Sequence, residues 1–166
     1  MRAIKRIPWA AIAVILGMLS LAVYSHVNGS DVHIVKRVID GDTIILDDGR
    51  HVRLIGVDAP EIDSPYRNAE PFGDESRDYM KRLVERRLVT IKTGREPYDK
   101  YGRTLAYVYL GPTMVNSLII RDGYAKAYRR FRFPERELFI NYENEAKAKG
   151  VGMWKYKWNY NTKKES

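Results

Sequence analysis

Between residues 33 and 57 the chain makes three short runs of strand-forming residues divided by two turn signals. Residues 33–39 carry the β-branched side chains Ile34, Val35, Val38 and Ile39, which suit a pleated, half-buried strand. Asp40-Gly41-Asp42 is turn-like, residues 43–46 read as a second strand, and Asp47-Asp48-Gly49 is a strong hairpin signal. Residues 51–57 form a third strand, with Val52, Leu54 and Gly56 on one side. Strands this close together leave no room for a crossover, so they make an antiparallel meander.

The remaining elements narrow the fold. Residues 59–73 hold three prolines and no periodicity and read as a loop. Residues 74–88 place Tyr79, Met80, Leu83, Val84 and Leu88 on one helical face, with Asp74 or Ser76 as the cap. A fourth strand is predicted at 89–92, a polar loop at 96–102 and a fifth strand at 103–110. A short helix at 114–121 closes at Gly123, and another at 135–149, with Leu138, Phe139, Tyr142 and Ala146 inward, closes at Gly150. The order β-β-β-α-β-β-α-α in one domain predicts an α+β fold, a five-stranded oligonucleotide-binding (OB) β-barrel with three packed helices.

The N-terminus is separate. Arg2, Lys5 and Arg6 precede an uncharged, mostly apolar run over residues 7–23, close to the ~17–25 residues that cross a bilayer as a helix. The basic flank predicts that the rest of the chain lies on the extracytoplasmic side. Residues 1–25 therefore read as a signal peptide, with Val23-Tyr24-Ser25 as its exit, or as an uncleaved transmembrane anchor, which the long apolar run fits better. Residues 26–32 are a linker, 33–158 the folded domain and 159–166 a polar tail. The chain carries a formal charge of +8. Three basic and no acidic residues lie in the leader, so the domain itself stays basic and favours anionic partners. With no cysteine, a disulfide framework and a thiolate metal site are both excluded.

Two acidic stretches could carry chemistry. Asp40-Gly41-Asp42-Thr43 and Asp58-Ala59-Pro60-Glu61 each read alone as an ordinary turn. A meander can bring the start of its second strand near the end of its third, where Asp42 and Asp58 could share a hard cation such as calcium. Arg53 on the third strand and Arg103 at the start of the fifth suit a phosphate, because a guanidinium fork makes two charge-assisted hydrogen bonds at once. Each arginine alone reads as a surface residue. The three histidines, His26, His33 and His51, fit no metal-ligand spacing.

Taken in order, Asp40-Gly41-Asp42-Thr43, the nine residues from Arg53 to Glu61 and the nine from Asp99 to Tyr107 resemble the three signature stretches of the staphylococcal nuclease (thermonuclease) family. The stretch from Met114 to Lys126 is similar to the helix that follows them, and the resemblance runs from about His33 to about Trp158. It implies an OB-fold and a calcium-dependent endonuclease that cuts DNA and RNA, favours single strands and leaves 3′-phosphate ends. It further implies that Asp42 and Asp58 bind calcium by carboxylates and Ala59 by its backbone carbonyl, with Thr43 beside the metal. Glu61 would hold or deprotonate the attacking water, Arg53 and Arg103 would clamp the phosphate, and Lys100 and Tyr101 would contact the terminal phosphate and sugar.

After Lys126 the chain departs from the family, reading Ala127-Tyr128-Arg129-Arg130-Phe131-Arg132-Phe133. Tyr128 is the better candidate for stacking on the base and Phe131 the poorer; Arg129, Arg130 and Arg132 either track a phosphate backbone or form a solvated face. The segment from Trp154 to Trp158 reads first as packing on the barrel and second as a nucleic-acid or lipid contact. The alternative to a monomeric enzyme is an inactive barrel tethered to a membrane that binds nucleic acid or protein. The presence of Asp42, Arg53, Asp58, Glu61 and Arg103 together argues for the enzyme.

Overall fold

The computed structural model describes residues 31–63, 65 and 68–155, and within the N-terminal segment only residues 14, 17 and 18. The leader and polar tail therefore lie outside the described residues, as does nearly all of the linker. Among the described residues no helix is long and apolar enough to cross a membrane.

The elements are β1 (Asp31–Val38), β2 (Thr43–Leu46), β3 (His51–Leu54), β4 (Val57–Asp58), α1 (Gly73–Val84), β5 (Leu88–Tyr98), β6 (Thr104–Leu110), β7 (Thr113–Met114), α2 (Val115–Arg121), β8 (Lys126–Ala127) and α3 (Arg136–Lys149). A 3-10 turn follows at Gly152–Lys155. β1, β2 and β3 form the antiparallel meander, and β1 pairs on its other edge with β5. β5 pairs with β6, and β6 returns to lie parallel against β3. That last pairing closes a five-stranded barrel in the order β1-β2-β3-β6-β5. Closure removes the free sheet edges that a meander alone would leave. Together with the three helices, this is the expected OB-type α+β architecture.

The core is apolar and β-branched on the inner barrel face, with Val35, Ile44, Leu46, Val52, Leu54 and Val108 buried. Met80 and Val84 of α1, Ile119 and Ile120 of α2 and Phe139 of α3 seal it from outside. Burying each such side chain stabilises the fold by about 1.5–3 kcal/mol.

Several local expectations need correction. β1 opens at Asp31, two residues before the predicted strand, because Asp31 and Val32 pair with Ile91 and Thr90. The third strand does not reach Val57. It stops at Leu54, turns at Gly56 with φ 75°, and resumes as β4, which pairs with β8. β5 continues through the predicted polar loop to Tyr98, since Tyr98 pairs with Thr104 across an irregularity. The helix α1 ends at Val84, so Leu88 lies in β5 and is exposed. Neither Asp74 nor Ser76 caps it. The cap is Phe72 in the left-handed region, and Ser76 Oγ instead donates to the Tyr124 carbonyl at 2.7 Å. In α3, Leu138 is exposed while Phe139 and Ala146 are buried.

Candidate active site

Strand register assembles the charged residues. Thr43 faces Arg53 across β2 and β3, and the Leu54 N–H donates to the Asp42 carbonyl at 2.9 Å. Arg53 is therefore beside Asp42. The parallel ladder sets Val52 against Thr104 and Arg53 against Leu105, which delivers Arg103 to the same end of the barrel. Arg103 Nη1 reaches Thr43 Oγ1 at 3.4 Å.

Asp42 is only 6% exposed. Its Oδ1 accepts from Thr43 Oγ1 at 3.1 Å and touches Arg53 Nη1, while its Oδ2 accepts from the Ala59 N–H at 2.9 Å. The Ala59 bond draws the start of the loop after β4 onto Asp42. That approach requires glycine at position 41, where a Cβ would fall 2.6 Å from the Ala59 Cβ and 2.0 Å from Ser76 Oγ. Asp40 adds a further carboxylate, accepting from the Asp42 N–H at 2.9 Å. Burial raises the Asp40 carboxyl above the ordinary value, with Arg53 opposing.

Arg53 is a largely covered cation beside the buried Asp42. Desolvation pulls its guanidinium down to about 10, against Asp40 and Asp58, which favour the charge, while Arg103 adds repulsion. Its Nη1 is buried and makes no hydrogen bond of good geometry. The Asp42 carboxylate nonetheless lies against it as an ion-pair partner. Arg103 is oriented by Asp99, whose Oδ2 accepts from Arg103 Nε and Nη2, both at 2.7 Å. Asp99 Oδ1 also accepts from the backbone N–H groups of Tyr101 and Arg103. Burial would raise Asp99, but these bonds and the Arg103 charge hold its carboxyl below the ordinary range.

A cavity of about 630 Å3 opens over these groups, lined among others by Arg53, Asp58, Glu61, Lys100, Arg103 and Tyr128. Tyr101, also on the wall, is 65% exposed, with Lys100 Nζ 4.9 Å and Arg103 Cζ 5.5 Å from its ring centre. Glu61 is fixed by a bracket to Glu70: the Glu70 N–H donates to the Glu61 carbonyl at 2.8 Å, and the Glu61 N–H donates to Glu70 Oε2 at 3.4 Å. Arg53, Asp58, Glu61, Lys100, Tyr101, Arg103 and Tyr128 thus share one cavity, while Asp42, Thr43 and Ala59 are buried beside Arg53 and do not line it.

The expected metal donors, the carboxylates of Asp42 and Asp58 and the carbonyl of Ala59, are all oxygens. Asp40, Asp42 and Asp58 all act on the guanidinium of Arg53, which gathers carboxylates at this point. Both features fit a hard cation.

Reading the sequence alone missed three contributors. Asp99 sets Arg103, as described. Asn116, fully buried, accepts from the Val108 N–H at 2.8 Å and donates to the Ile55 carbonyl at 2.9 Å, pinning the turn after β3. Glu143, also buried, accepts from the Ala127 N–H at 2.9 Å and from Arg129 Nη1 at 2.7 Å. Arg129 therefore anchors β8. Away from the cavity, His33, Asp47 and Asp48 offer three ligand atoms within 4.8 Å of one another. Arg50 fills that cluster, bonding Asp31, Asp48 and His33, each at 2.5 Å, which makes it an ion-pair network. At the C-terminal end Met153 is buried and its N–H donates to the Gly123 carbonyl, so this turn packs on the domain; Tyr156–Trp158 lie outside the described residues.

Comparison with known proteins agrees with this geometry. A family model described as staphylococcal nuclease homologue matches residues 51–156. The chain is 44% identical over 128 residues to a thermonuclease of Staphylococcus intermedius, covering 74% of this chain and 75% of that protein. It is 44% identical over 108 residues to a thermonuclease of Staphylococcus hyicus, covering 61% and 64%. A micrococcal nuclease of Shigella flexneri is 35% identical over 132 residues, covering 72% and 71%.

Proposed function

Because this chain belongs to the staphylococcal nuclease family, we propose that it hydrolyses phosphodiester bonds of DNA and RNA with calcium as its metal ion. The observation that carries this reading is the convergence of Arg53, Arg103, Asp58 and Glu61 on one cavity, with Asp42 buried beneath.

Arg53 and Arg103 bind the two non-bridging oxygens of the scissile phosphate. Both forks are set before substrate arrives, Arg53 by burial against Asp42 and Arg103 by Asp99. Donors already oriented toward developing charge stabilise a transition state without reorganisation. Glu61 takes a proton from the attacking water, a role worth ~10²–10⁴ in rate. The water oxygen bonds to phosphorus in line as the bond to the 5′ oxygen breaks; that oxygen takes a proton from solvent and Glu61 returns its own to solvent, leaving a 3′-phosphate. Asp42 and Asp58, with the Ala59 carbonyl, would hold the calcium ion. When bound, it neutralises phosphate charge and makes nearby water more acidic. Lys100 and Tyr101 at the rim contact the terminal phosphate and sugar, and Tyr128 stacks on the base, which favours unpaired strands.

The basic and apolar N-terminal residues support an extracytoplasmic domain, either released or held at the membrane. Asp58→Asn tests the metal assignment. Asp58 is exposed, so the fold should persist while the calcium concentration for half-maximal cleavage rises about tenfold or more. An unchanged calcium titration would remove Asp58 from the metal site.

A further inference from the structure

The start of β1 carries an exposed apolar and basic face that the cavity does not use. Ile34 and Leu88 pair across β1 and β5 and are 46% and 48% exposed. Paired residues of neighbouring strands share one face of a sheet, so the two form a single aliphatic spot in water. Cations frame it. Lys36 lies two residues along β1, and Arg86 and Arg87 lead directly into Leu88. Lys36, Arg37 and Arg86 line one hollow of about 480 Å3 with Ile45 and Glu85. All four cations are exposed and, among the described residues, none has a side-chain hydrogen bond or ion pair. The neighbouring carboxylates are engaged: Glu85 accepts from the Val38 N–H at 2.9 Å, and Asp31 and Asp47 both bond His33. The turn that carries the arginines is stapled to β1, with the Arg86 N–H donating to the Val35 carbonyl at 2.8 Å and the Val35 N–H to the Arg87 carbonyl at 3.0 Å. Arg86 takes φ 62°, a left-handed conformation that glycine adopts without strain. An arginine at a position that favours glycine points to a use for its side chain.

Aliphatic side chains in water beside unpaired cations have a specific complement in the surface of an anionic bilayer. It offers acyl chains to the one and headgroup phosphates to the other. A nucleic-acid strand satisfies the cations but presents flat bases, which aromatic rings match and branched aliphatic chains do not. The N-terminal sequence argues the same way. Its apolar run ends at Val23, eight residues before Asp31. Eight residues reach at most about 29 Å, so a domain held by that run keeps the start of β1 within that distance of the bilayer. We infer that this face docks on anionic lipid, with Ile34 and Leu88 entering the headgroup region and Lys36, Arg37, Arg86 and Arg87 pairing with lipid phosphates. This rests on the membrane-held form of the reading above. Leu88 opens β5 and Tyr98, on the cavity wall, ends it, roughly 30 Å away along the strand, so docking leaves the cavity open to solvent.

The full-length chain has no cysteine, so single fluorescent labels can be placed at Thr90→Cys, beside the face, and at Glu96→Cys, toward the far end of β5. The chain is reconstituted into phosphatidylcholine vesicles carrying a nitroxide lipid, with and without phosphatidylglycerol. The label at position 90 should be quenched more than the label at position 96, and only with phosphatidylglycerol. Each of Lys36→Gln, Arg37→Gln and Arg86→Gly should lower the ratio of docked to undocked domain about fivefold, and Leu88→Ser should lower it about tenfold. Arg86→Gly should do so with an unchanged or higher urea midpoint, because it relieves the left-handed arginine, and this separates docking from folding. Quenching at position 90 that ignores phosphatidylglycerol, or survives these substitutions, would overturn the assignment. An equal response of that label to single-stranded DNA, or to rising protein concentration without lipid, would also overturn it and give the face to nucleic acid or to a second copy. A chain that floats with phosphatidylcholine vesicles but is never quenched at position 90 would keep the membrane-held reading and remove the docking face. A chain that floats only with phosphatidylglycerol and is quenched there would keep the face and remove the anchor.

Discussion

Arg53 bears most of the electrostatic tension of the site, buried and in contact with Asp42 and drawn toward Asp40 and Asp58. A lysine there supplies a point charge without the planar fork, so it cannot bridge carboxylate and phosphate together. Arg53→Lys should lower kcat by about 10²–10³, with little change in the urea midpoint; near-normal turnover would remove Arg53 from the phosphate clamp. These residues were legible in the sequence because the short motifs around Asp42, Arg53, Asp58 and Arg103 appear in order, and each local spacing survives folding. Asp99 as the orienter of Arg103 was not legible as such, because an acid four residues before an arginine in a loop also reads as a solvated turn. His33 was not legible either, since Asp47 meets it only through the pairing of β1 with β2. Burial opposes charge on His33, but the Asp47 and Asp31 carboxylates outweigh it, and its value rises above the ordinary 6.5. The stabilisation from this network is therefore complete below pH 6.5 and is lost as pH rises through the raised folded value. The urea midpoint should fall between pH 6 and pH 9 in the natural chain, and that fall should be smaller in His33→Gln.

At the scale of elements, the turn at Gly56 separates what was readable from what was not. Hydrophobic alternation continued the third strand to Val57, because Val52, Leu54 and Gly56 share a parity. The chain instead breaks after Leu54, since Gly56 takes φ 75° and the ring of Phe133 lies 2.5 Å from where its Cβ would be. The break frees Val57 and Asp58 to pair with Ala127 and Lys126, which turns Asp58 toward the cavity and fixes the base of the segment that carries Tyr128. Gly56→Ala should thus destabilise the fold by roughly 2–4 kcal/mol through backbone strain and overpacking, measured by urea denaturation. A loss under about 0.5 kcal/mol would mean that the turn and Phe133 adjust freely. The long partner strand β5 was also underread, because the exposed polar residues from Glu96 onward carry no strand periodicity. Their pairing is imposed by β6 across the barrel.

For the whole molecule, the element order predicted closure because two edges of a meander and a hairpin had to be satisfied, and the parallel contact between β3 and β6 does so. Closure also places the ends of β2, β3 and β6 together, so one topological event builds both the core and the charged cavity. A basic domain attracts anionic partners broadly, and its cavity sets carboxylates beside the two arginines. The most direct test is cleavage of labelled single-stranded DNA by the full-length chain, first with calcium and then with excess chelator, alongside Glu61→Gln. Strand scission that requires calcium, yields 3′-phosphate ends and falls at least about 10²-fold in Glu61→Gln is the predicted result. Tight binding of the strand with no scission under any divalent cation, or scission unaffected by Glu61→Gln, would contradict a phosphodiesterase centre in this cavity.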